Sequence, residues 1–593
     1  MKQFKLSLAA ALALAVSSAY AAPVVGPADD TFFTNPAAAA LTGPNGDLLS
    51  YRVATVNLGA NATPVNAWNV IYKSTDSRDR NSAVSGTVLV PKAAWAGTGA
   101  RPVVIYAVGT HGLASGCAPS KQLALGTDYE TANINAALAK GYAVVVSDYR
   151  GALAGASSTY LAGKAQGNAV IDSFRAAASV PNSGISLSAP AGIWGYSQGG
   201  QTAAFAAEQL SSYAPELKIV GVAAGGIPGD FFKTANYLND SIGFAFLGSA
   251  IVGLGNQYPG QLPINLLANE EGKAALAKIS TQCVFEALFD NQNTDIAQYT
   301  IDGINLEQLM AVESVNVTLD AQTLGRGNIG IPMYQYHGQA DEFIPLDQAV
   351  SLKKAYCAKS TKVKFDLYPS EHIVTQFQAA PTVLTWLADR FAGKTADSTC
   401  NTTAADPKPT ANPGGGDFIV SLKSWPLTAS VGLKTLAQTV TLPATSTFTA
   451  DANVTAKTLK GSLNVPNFKQ TLKIIGLPIQ VGLKIAPAGD TTGSVSVDNA
   501  GMLKIRGTSP VDITVTSVLG IPFGECKTVK PVQFPLTFDG PVSSLGNGAL
   551  NFSGATSFPL IQGCFISAIL SGLMTGSGQT YSLTVSPPAP VKF

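Results

Sequence analysis

The chain has 593 residues, more than one ordinary domain needs, so two or more domains are expected. Its formal net charge is +1, only 13% of its residues are charged, and the dispersed Lys and Arg form no basic stripe for phosphates. This composition argues against a nucleic-acid partner and suits an exported protein.

The N-terminus has the pattern of a secretory signal peptide. Two lysines precede the apolar residues 6–16, and Ala-Tyr-Ala at 19–21 forms a small-x-small cleavage site. No cysteine follows to carry lipid, and no other stretch offers some twenty charge-free apolar residues without repeated glycines. We therefore predict removal of residues 1–21 and a soluble mature protein, extracellular or periplasmic, that starts at Ala22.

The next part of the chain changes from hairpin to alternating patterns. Strand-like residues begin at 51–56, and residues 68–73 and 85–90 flank a polar turn as a hairpin does. Apolar strands then alternate with helical segments, at 103–106, 142–146, 191–194, 219–222, 331–336 and 363–368. Such alternation predicts an α/β fold, a mostly parallel sheet with helices on both faces.

The stretch Gly195-Tyr196-Ser197-Gln198-Gly199 fits G-x-S-x-G, the strand-to-helix elbow that raises a serine hydroxyl above a sheet. A buried strand precedes it and a helix, residues 201–210, follows. The glycines leave room where a strained turn brings helix and strand close together. The alternative is a Gly-rich turn with a solvent-facing serine. The context favours Ser197 as a nucleophile.

The partners of Ser197 follow from the order Ser, acid, His that α/β-hydrolases use. His111 and His337 precede every plausible acid, so His372 is the base, and His337 is interpreted as a loop-shaping residue. Asp341, just past a strand end, is the best acid. Weaker candidates are Glu342, Asp347, Asp366 and Glu371. Ser197 would attack a carbonyl, His372 would carry the proton, and Asp341 would orient the imidazole.

Catalytic loops of parallel sheets gather at the carboxyl ends of the strands. Residues 109–112 follow the strand 103–106, so a backbone N–H of this loop could form an oxyanion hole with the N–H of Gln198. We predict Thr110 as the loop donor. The alternative is a Gly-rich turn that only shapes the strand exit.

Residues 229–325 interrupt the alternation and predict a helical cap. The apolar runs 242–247 and 251–254 could line an acyl-binding tunnel or a mobile lid. Their alternative role is the packed core of the cap itself.

The hydrolase-like part resembles the secretory lipase family, which includes the fungal lipase A type. The similar stretches are the elbow, residues 195–200, then Tyr213-Ala214-Pro215-Glu216-Leu217, Cys117-Ala118-Pro119-Ser120, and the Asp341 and His372 loops. The resemblance covers about residues 50–395. It implies an α/β-hydrolase core with a helical cap, no cofactor, and hydrolysis of carboxylic esters with acyl chains. It also implies that Cys117 pairs with Cys283 and Cys357 with Cys400.

Six cysteines in an exported chain favour disulfides, and without CxxC spacing we predict no metal site. A Pro- and Gly-rich linker, residues 401–417, separates the catalytic domain, 22–400, from residues 418–593. If the two halves fold separately, Cys526 must pair with Cys564.

Short alternating runs such as 493–497 and 511–516 predict that residues 418–593 form an all-β, sandwich-like accessory domain. It contains no histidine and no catalytic constellation. Contact with a lipid, polymer or cell surface is one hypothesis for its role, and stabilisation of the enzyme is the other.

We therefore expect an exported serine carboxylic-ester hydrolase, a lipase or esterase that uses an acyl-enzyme intermediate and an ester substrate. Three alternatives remain open at this stage: a serine peptidase on the same fold, an extracellular polyester depolymerase, and a surface-binding protein with an inactive hydrolase domain.

Overall fold

The structure, a computed structural model, describes residues 22–60, 62–402, 416–498, 501–547 and 549–592. The predicted signal peptide and most of the predicted linker lie outside these residues.

The first sheet contains ten strands from the N-terminal part of the described chain. They are β1 Val24–Val25, β2 Leu48–Val53, β3 Val65–Thr75, β4 Asn81–Pro91, β5 Val103–Ala107, β6 Ala143–Ser147, β7 Ala191–Tyr196, β8 Ile219–Gly225, β9 Met333–Gly338 and β10 Val363–Tyr368. Strands β5, β6 and β7 are buried along their whole length. Continuous apolar runs are typical of strands covered on both faces.

The strand order is β1-β2-β3-β4-β6-β5-β7-β8-β9-β10. Neighbours from β6 to β10 pair in parallel, whereas β2, β3 and β4 form an antiparallel meander whose last strand pairs with β6. The catalytic candidates therefore lie where parallel strands end together at one edge. The predicted hairpin corresponds to β3 and β4.

Fourteen α-helices accompany this sheet in the described residues. They are α1 Pro119–Leu125, α2 Thr131–Ala139, α3 Gly163–Ser179, α4 Gln198–Tyr213, α5 Phe231–Leu238, α6 Phe244–Gln257, α7 Ile264–Leu267, α8 Glu270–Ile279, α9 Val284–Asp290, α10 Leu306–Ala311, α11 Glu313–Asp320, α12 Leu346–Ala358, α13 His372–Gln378 and α14 Ala380–Phe391. Helices α5 to α11 all lie between β8 and β9, within the segment predicted to form a cap.

The C-terminal part is antiparallel β structure. Its strands are β11 Ile419–Leu433, β12 Gln438–Thr441, β13 Thr447–Asn453, β14 Thr458–Asn464, β15 Phe468–Ile474, β16 Leu477–Pro487, β17 Thr491–Val497, β18 Met502–Val518, β19 Ile521–Thr528, β20 Val532–Pro541, β21 Leu550–Phe558, β22 Ile561–Gln562, β23 Gly576–Val585 and β24 Val591–Lys592. Two short helices, α15 Ser544–Asn547 and α16 Ser567–Met574, interrupt them. All of these strands except β24 belong to one antiparallel sheet with a continuous apolar core.

The two parts of the chain are joined by two features that the sequence pattern does not reveal. Strand β24 leaves the C-terminal sheet and pairs antiparallel with β10, at the edge of the first sheet. In addition, Phe285 of α9 and Val374 and Phe377 of α13 belong to the same apolar cluster as the core of the β part. The β part therefore packs directly on the helix that begins at His372.

Among the helices of the described ranges, none is both long enough and apolar enough to cross a lipid bilayer.

Candidate active site

The predicted elbow lies between β7 and α4. Ser197 joins them with φ 58° and ψ −121°, a strained combination for a residue with a side chain. The flanking glycines permit this turn, because a Cβ on Gly195 would lie 2.1 Å from the Gly199 carbonyl oxygen and a Cβ on Gly199 2.0 Å from that of Ala107. Ser197 itself is half-buried.

The predicted acid and base form a buried pair. Asp341 follows β9 and His372 is the first residue of α13, and His372 Nδ1 donates to Asp341 Oδ2 at 2.7 Å. The other oxygen of Asp341 accepts from the backbone N–H groups of Phe343 and Ile344, at 3.0 and 2.8 Å. Burial would raise the pKa of Asp341, but the two neighbouring histidines and these hydrogen bonds outweigh it and lower the pKa.

The elbow and the His–Asp pair meet at Tyr196. Its ring centroid lies 4.9 Å from that of His372, which places the imidazole beside the turn that carries Ser197. Among the described residues no hydrogen bond joins the Ser197 hydroxyl to His372. Such bonds are often long without substrate and tighten in the Michaelis complex. The fold thus brings the three predicted residues to one region, but the hydrogen bond between the serine and the histidine is not formed.

The backbone amides predicted for the oxyanion hole are available. Within the described chain, neither Gln198 N nor Thr110 N donates a hydrogen bond, and the first turn of α4 leaves its amides pointing outward. The Thr110 side chain is fixed by a 2.8 Å hydrogen bond between its hydroxyl and that of Tyr160. The Tyr129 hydroxyl donates to the Thr110 carbonyl at 3.0 Å. A small cleft next to this loop is lined by Gln198 and His111 rather than by Thr110.

Glu130 is a buried residue that sequence reasoning missed. One carboxylate oxygen accepts from Gly109 N at 2.9 Å, and the other accepts from the side-chain amide of Gln376 in α13. Burial raises the pKa of Glu130 to about 7. Glu130 therefore connects the loop before Thr110 to the helix of His372. No short spacing in the sequence signals such a long-range contact.

His111 also belongs to this network. Its Nε2 lies 3.0 Å from Asp128 Oδ2, and its Nδ1 lies 3.0 Å from the Gly109 carbonyl oxygen. Burial lowers the pKa of His111, but the carboxylates of Asp128 and Glu130 outweigh it and raise the pKa to about 9. A cation is thus held beside the predicted oxyanion loop.

The weaker acid candidates occupy supporting positions. Glu342 accepts from the backbone N–H of His372 at 3.0 Å, and Glu371 caps α13 by accepting from Val374 N. Asp347 lies in the first turn of α12 and Asp366 within β10.

His337 lies in β9 rather than in the loop where it was expected, and its Nε2 donates to the Ile344 carbonyl at 3.0 Å. The expected strand end was two residues too early, because His337 and Gly338 continue the parallel pairing with β10. His337 thus lies in β9, and its hydrogen bond to Ile344 fixes the loop that carries Asp341.

Glu371→Gln is expected to flatten the dependence of stability on pH. Burial raises the pKa of Glu371 to about 8 from the ordinary value of 4.5. Between these values the folded protein keeps a proton that the unfolded chain has released, so this group makes stability fall as pH rises, by about 1.4 kcal/mol per pH unit. The glutamine amide oxygen can still cap α13.

The measurement is the free energy of unfolding in denaturant at pH 5, 6.5 and 8. Glu271→Gln, on the exposed first turn of α8, serves as the matched control and should keep the parental slope. An unchanged slope in Glu371→Gln would contradict the argument.

An apolar cavity of about 110 Å³ lies within the cap. Helices α5, α6 and α10 supply much of its lining, including Phe231, Phe246, Leu247 and Ile251. The predicted apolar runs thus contribute both to this cavity and to the packed core of the cap. Leu161 also lines the cavity, and its carbonyl accepts from Gln201 of the elbow helix at 3.4 Å. One lining residue is thus hydrogen-bonded to α4, the helix that follows the elbow, although the three triad candidates do not line the cavity.

The six cysteines form three disulfides. Cys117 is bonded to Cys283, which ties the segment after the predicted oxyanion loop to the start of α9. The other pairs are Cys357–Cys400 and Cys526–Cys564. In the ranges the structure describes, no three His, Cys, Asp or Glu side chains group in a way that could hold a metal ion.

Comparison with known proteins places this arrangement in a family. The sequence profile described as secretory lipase matches residues 117–399. A protein of Mycobacterium tuberculosis named probable inactive lipase MT1628 is 32% identical over 378 residues, which are 62% of this chain and 83% of that protein. Lipase A of Arthroderma benhamiae is 29% identical over 404 residues, 64% of this chain and 82% of the relative.

The fold comparison agrees. The X-ray structure of Candida antarctica lipase A superposes with a TM-score of 0.57 at 25% sequence identity, covering 65% of this chain and 90% of that one. The predicted α/β-hydrolase fold with an added β domain is confirmed, and so is the predicted family resemblance. The chain belongs to the secretory lipase family, a family of carboxylic ester hydrolases.

Proposed function

We propose that this protein is an exported lipase or esterase that cleaves acyl esters with Ser197, His372 and Asp341. The observation that carries the proposal is the buried His372–Asp341 pair, 2.7 Å apart, beside a serine held at φ 58°. This combination supplies a nucleophile, its base and the group that orients the base.

The chemistry follows from these positions. His372 Nε2 takes the proton of the Ser197 hydroxyl as the serine oxygen attacks the ester carbonyl, and the carbonyl oxygen becomes an anion. The amides of Gln198 and Thr110, which have no acceptor among the described residues, would stabilise that anion. His372 then protonates the leaving alcohol, and water, activated by the same imidazole, releases the acid from the acyl-enzyme.

Asp341 is suited to its role as an anion. Its lowered pKa keeps the carboxylate ionised at neutral pH, and its hydrogen bond to Nδ1 leaves Nε2 as the unprotonated nitrogen. The backbone bonds from Phe343 and Ile344 fix the carboxylate in place. The imidazole is thereby held in the tautomer that a base needs.

The cap cavity favours an acyl ester over a peptide. Its walls are almost wholly aliphatic and aromatic side chains, which match a hydrocarbon chain and offer a peptide backbone almost no hydrogen-bonding groups. We assign the acyl chain to this cavity. The cavity therefore favours the ester hydrolase over the serine peptidase.

Export and domain organisation belong to the same proposal. The predicted signal peptide and the three disulfides both suit a protein that acts outside the cytoplasm. We assign catalysis to residues 22–400, with residues 229–325 as the cap, and an accessory role to residues 418–593.

The test compares p-nitrophenyl esters from C4 to C16 with the matching p-nitroanilides, using the mature protein. We expect ester turnover, little or no anilide turnover, and covalent labelling of Ser197 by an alkyl fluorophosphonate, located by peptide mass spectrometry. Preferential anilide cleavage would favour the peptidase, and cleavage of a polyester film alone would favour the depolymerase. Absence of both turnover and labelling in the folded protein would favour the inactive surface-binding alternative.

Ala235→Phe is expected to shorten the acyl preference. Ala235 lies on α5 and lines the cavity, so a phenyl ring would fill space that we assign to the acyl chain. Because each methylene excluded from an apolar pocket costs about 1 kcal/mol or more, kcat/KM for C12 to C16 esters should fall at least about tenfold, with little change for C4. Ala274→Phe, on the exposed face of α8, is the control. Equal losses of kcat/KM at every chain length would contradict the assignment of the acyl chain to this cavity.

A further inference from the structure

Two hairpins in the β part share an unusual turn. Strands β15 and β16 are joined by Ile475-Gly476, and strands β18 and β19 by Leu519-Gly520. In both turns the two central residues have positive φ, 51° and 80° in the first and 52° and 81° in the second. This is the pattern of a type I′ turn, whose first position favours Asn, Asp or Gly.

Both turns instead carry a large apolar residue at this first position, Ile475 in one and Leu519 in the other. An isoleucine at positive φ is strained, because its branched Cβ crowds the backbone there. Ile475 is nevertheless 96% exposed, so it gains no burial that would offset the strain. Leu519 repeats the arrangement at 63% exposure, and Leu477 and Ile521, the first residues after each turn, are 64% and 62% exposed.

The two turns lie at the same end of the β part. Strands β16 and β18 pair with Val481 opposite Val518, and Leu519 N donates to the Gln480 carbonyl at 2.9 Å. The first turn therefore lies about four residues, roughly 14 Å, beyond the second along neighbouring strands. We call Ile475, Leu477, Leu519 and Ile521 the apolar tips.

The apolar tips point away from the hydrolase. Strand β18 starts next to Gly501, which lies against Phe285 of the cap, and it ends at the second turn. Its 17 residues span about 50 Å at the usual rise per residue. A partner bound at the tips would thus hold the enzyme without covering the elbow.

The hairpin that carries Ile475 and Leu477 is basic. Residues 465–487 contain three lysines and neither Asp nor Glu. In the described β part, the ion pairs involve Lys460, Lys504 and Arg506 and not these three lysines. A hairpin with an apolar tip and lysines along its strands is complementary to an anionic interface over a hydrocarbon phase.

We infer that the apolar tips insert into a lipid surface and hold the enzyme there. The tips are convex and project singly, so a deformable hydrocarbon phase accommodates them without a matching pocket, whereas a protein partner would need one for each. Exposure of the four apolar side chains to water and the strain of the two turns are both unfavourable. Transfer of these side chains from water into hydrocarbon is favourable and offsets that cost. The inference extends the proposed lipase function, because the substrates of a lipase lie in such a phase.

The test uses the full mature protein with Ser197→Ala, so that binding is measured without hydrolysis. Flotation with phosphatidylcholine vesicles, with and without phosphatidylglycerol, gives the bound fraction. Ile475→Asn/Leu519→Asn should lower the partition coefficient on the order of 100-fold, while its melting temperature stays equal or rises because Asn suits the turn. In the chain that retains Ser197, the same double variant should keep its activity on soluble p-nitrophenyl butyrate.

Leu125→Asn, at an exposed leucine of α1 that is 71% accessible, is the matched control and should bind as well as its parent. Stronger binding to the anionic vesicles, reduced by salt, would support the role of the lysines. Unchanged flotation of the double variant, or no flotation of its parent, would overturn the inference whether or not the esterase activity is found. A dimer that sedimentation detects and the double variant abolishes, with no vesicle binding, would assign the tips to self-association instead.

Discussion

Ser197→Ala is expected to lower kcat for p-nitrophenyl butyrate on the order of a million-fold. The variant loses the atom that attacks, while the elbow that shapes the site is retained. Alanine lacks only the hydroxyl, which makes no hydrogen bond to the His372 imidazole in the described chain. The melting temperature should therefore stay near that of the parent, and initial rates under matched folding conditions provide the measurement.

Two further variants test whether the loss of kcat is specific to the predicted catalytic residues. Ser211→Ala removes an exposed serine at the other end of α4 and should leave kcat unchanged. Asp341→Asn should lower kcat about ten-thousand-fold, because the amide stabilises the wrong imidazole tautomer while the geometry is kept. If Ser197→Ala retained a tenth of the activity, another group would have to be the nucleophile. If Asp341→Asn were silent, the buried pair would be structural only.

The parts of the site that could be predicted are those encoded over short distances. The elbow needs glycines two residues on either side of the serine, so the sequence alone predicts β7 and α4 to within a few residues of their bounds, Ala191–Tyr196 and Gln198–Tyr213. Strand β10 occupies the predicted residues, Val363–Tyr368. These features depend on local sterics and on a buried apolar run, both visible in a few consecutive residues.

The rest depends on contacts between distant segments. Glu130 meets Gly109 and Gln376, the latter 246 residues away, and no periodicity relates such positions. His111 was excluded as the catalytic base because it precedes the candidate acids in the chain. Its pairing with Asp128 depends on the fold and does not follow from the order of the triad residues. Strand β24 has only two residues, too few for a strand pattern, and it is stabilised by the free edge of β10.

The same limit applies to the turns of the β part. Ile475-Gly476 and Leu519-Gly520 carry apolar residues where a turn usually carries Asn or Asp, so their residue types do not indicate a turn. Only the backbone angles and the exposure show that these residues form tips. Departure from local preference is expected where a residue serves binding rather than folding.

Removal of residues 416–593 is expected to unfold or inactivate the hydrolase part instead of leaving a free esterase. Phe285, Val374 and Phe377 lie in the apolar core of the β part, and Phe343, which contacts the His372 ring, packs on Phe418 at 6.0 Å. Exposing four such side chains would cost roughly 6–12 kcal/mol, which is comparable to the whole stability of a domain.

The location of these contacts makes the effect catalytic as well as structural. Helix α13 begins at His372 and carries Val374 and Phe377 on its packed face, so loss of the β part removes the support of the imidazole. We expect the truncated chain, residues 22–415, to be recovered aggregated or with ester activity at least about 100-fold below that of the full protein.

A nicked protein is the matched control for this truncation. A protease site placed in the predicted linker, residues 401–417, would cut the chain while both parts remain, and the shared core together with β24 should keep them associated. The nicked protein should then co-elute as one species with nearly full activity. A monomeric truncated hydrolase with the parental melting temperature and kcat would show that the β part only rests on α13, and the stabilising role would have to be abandoned.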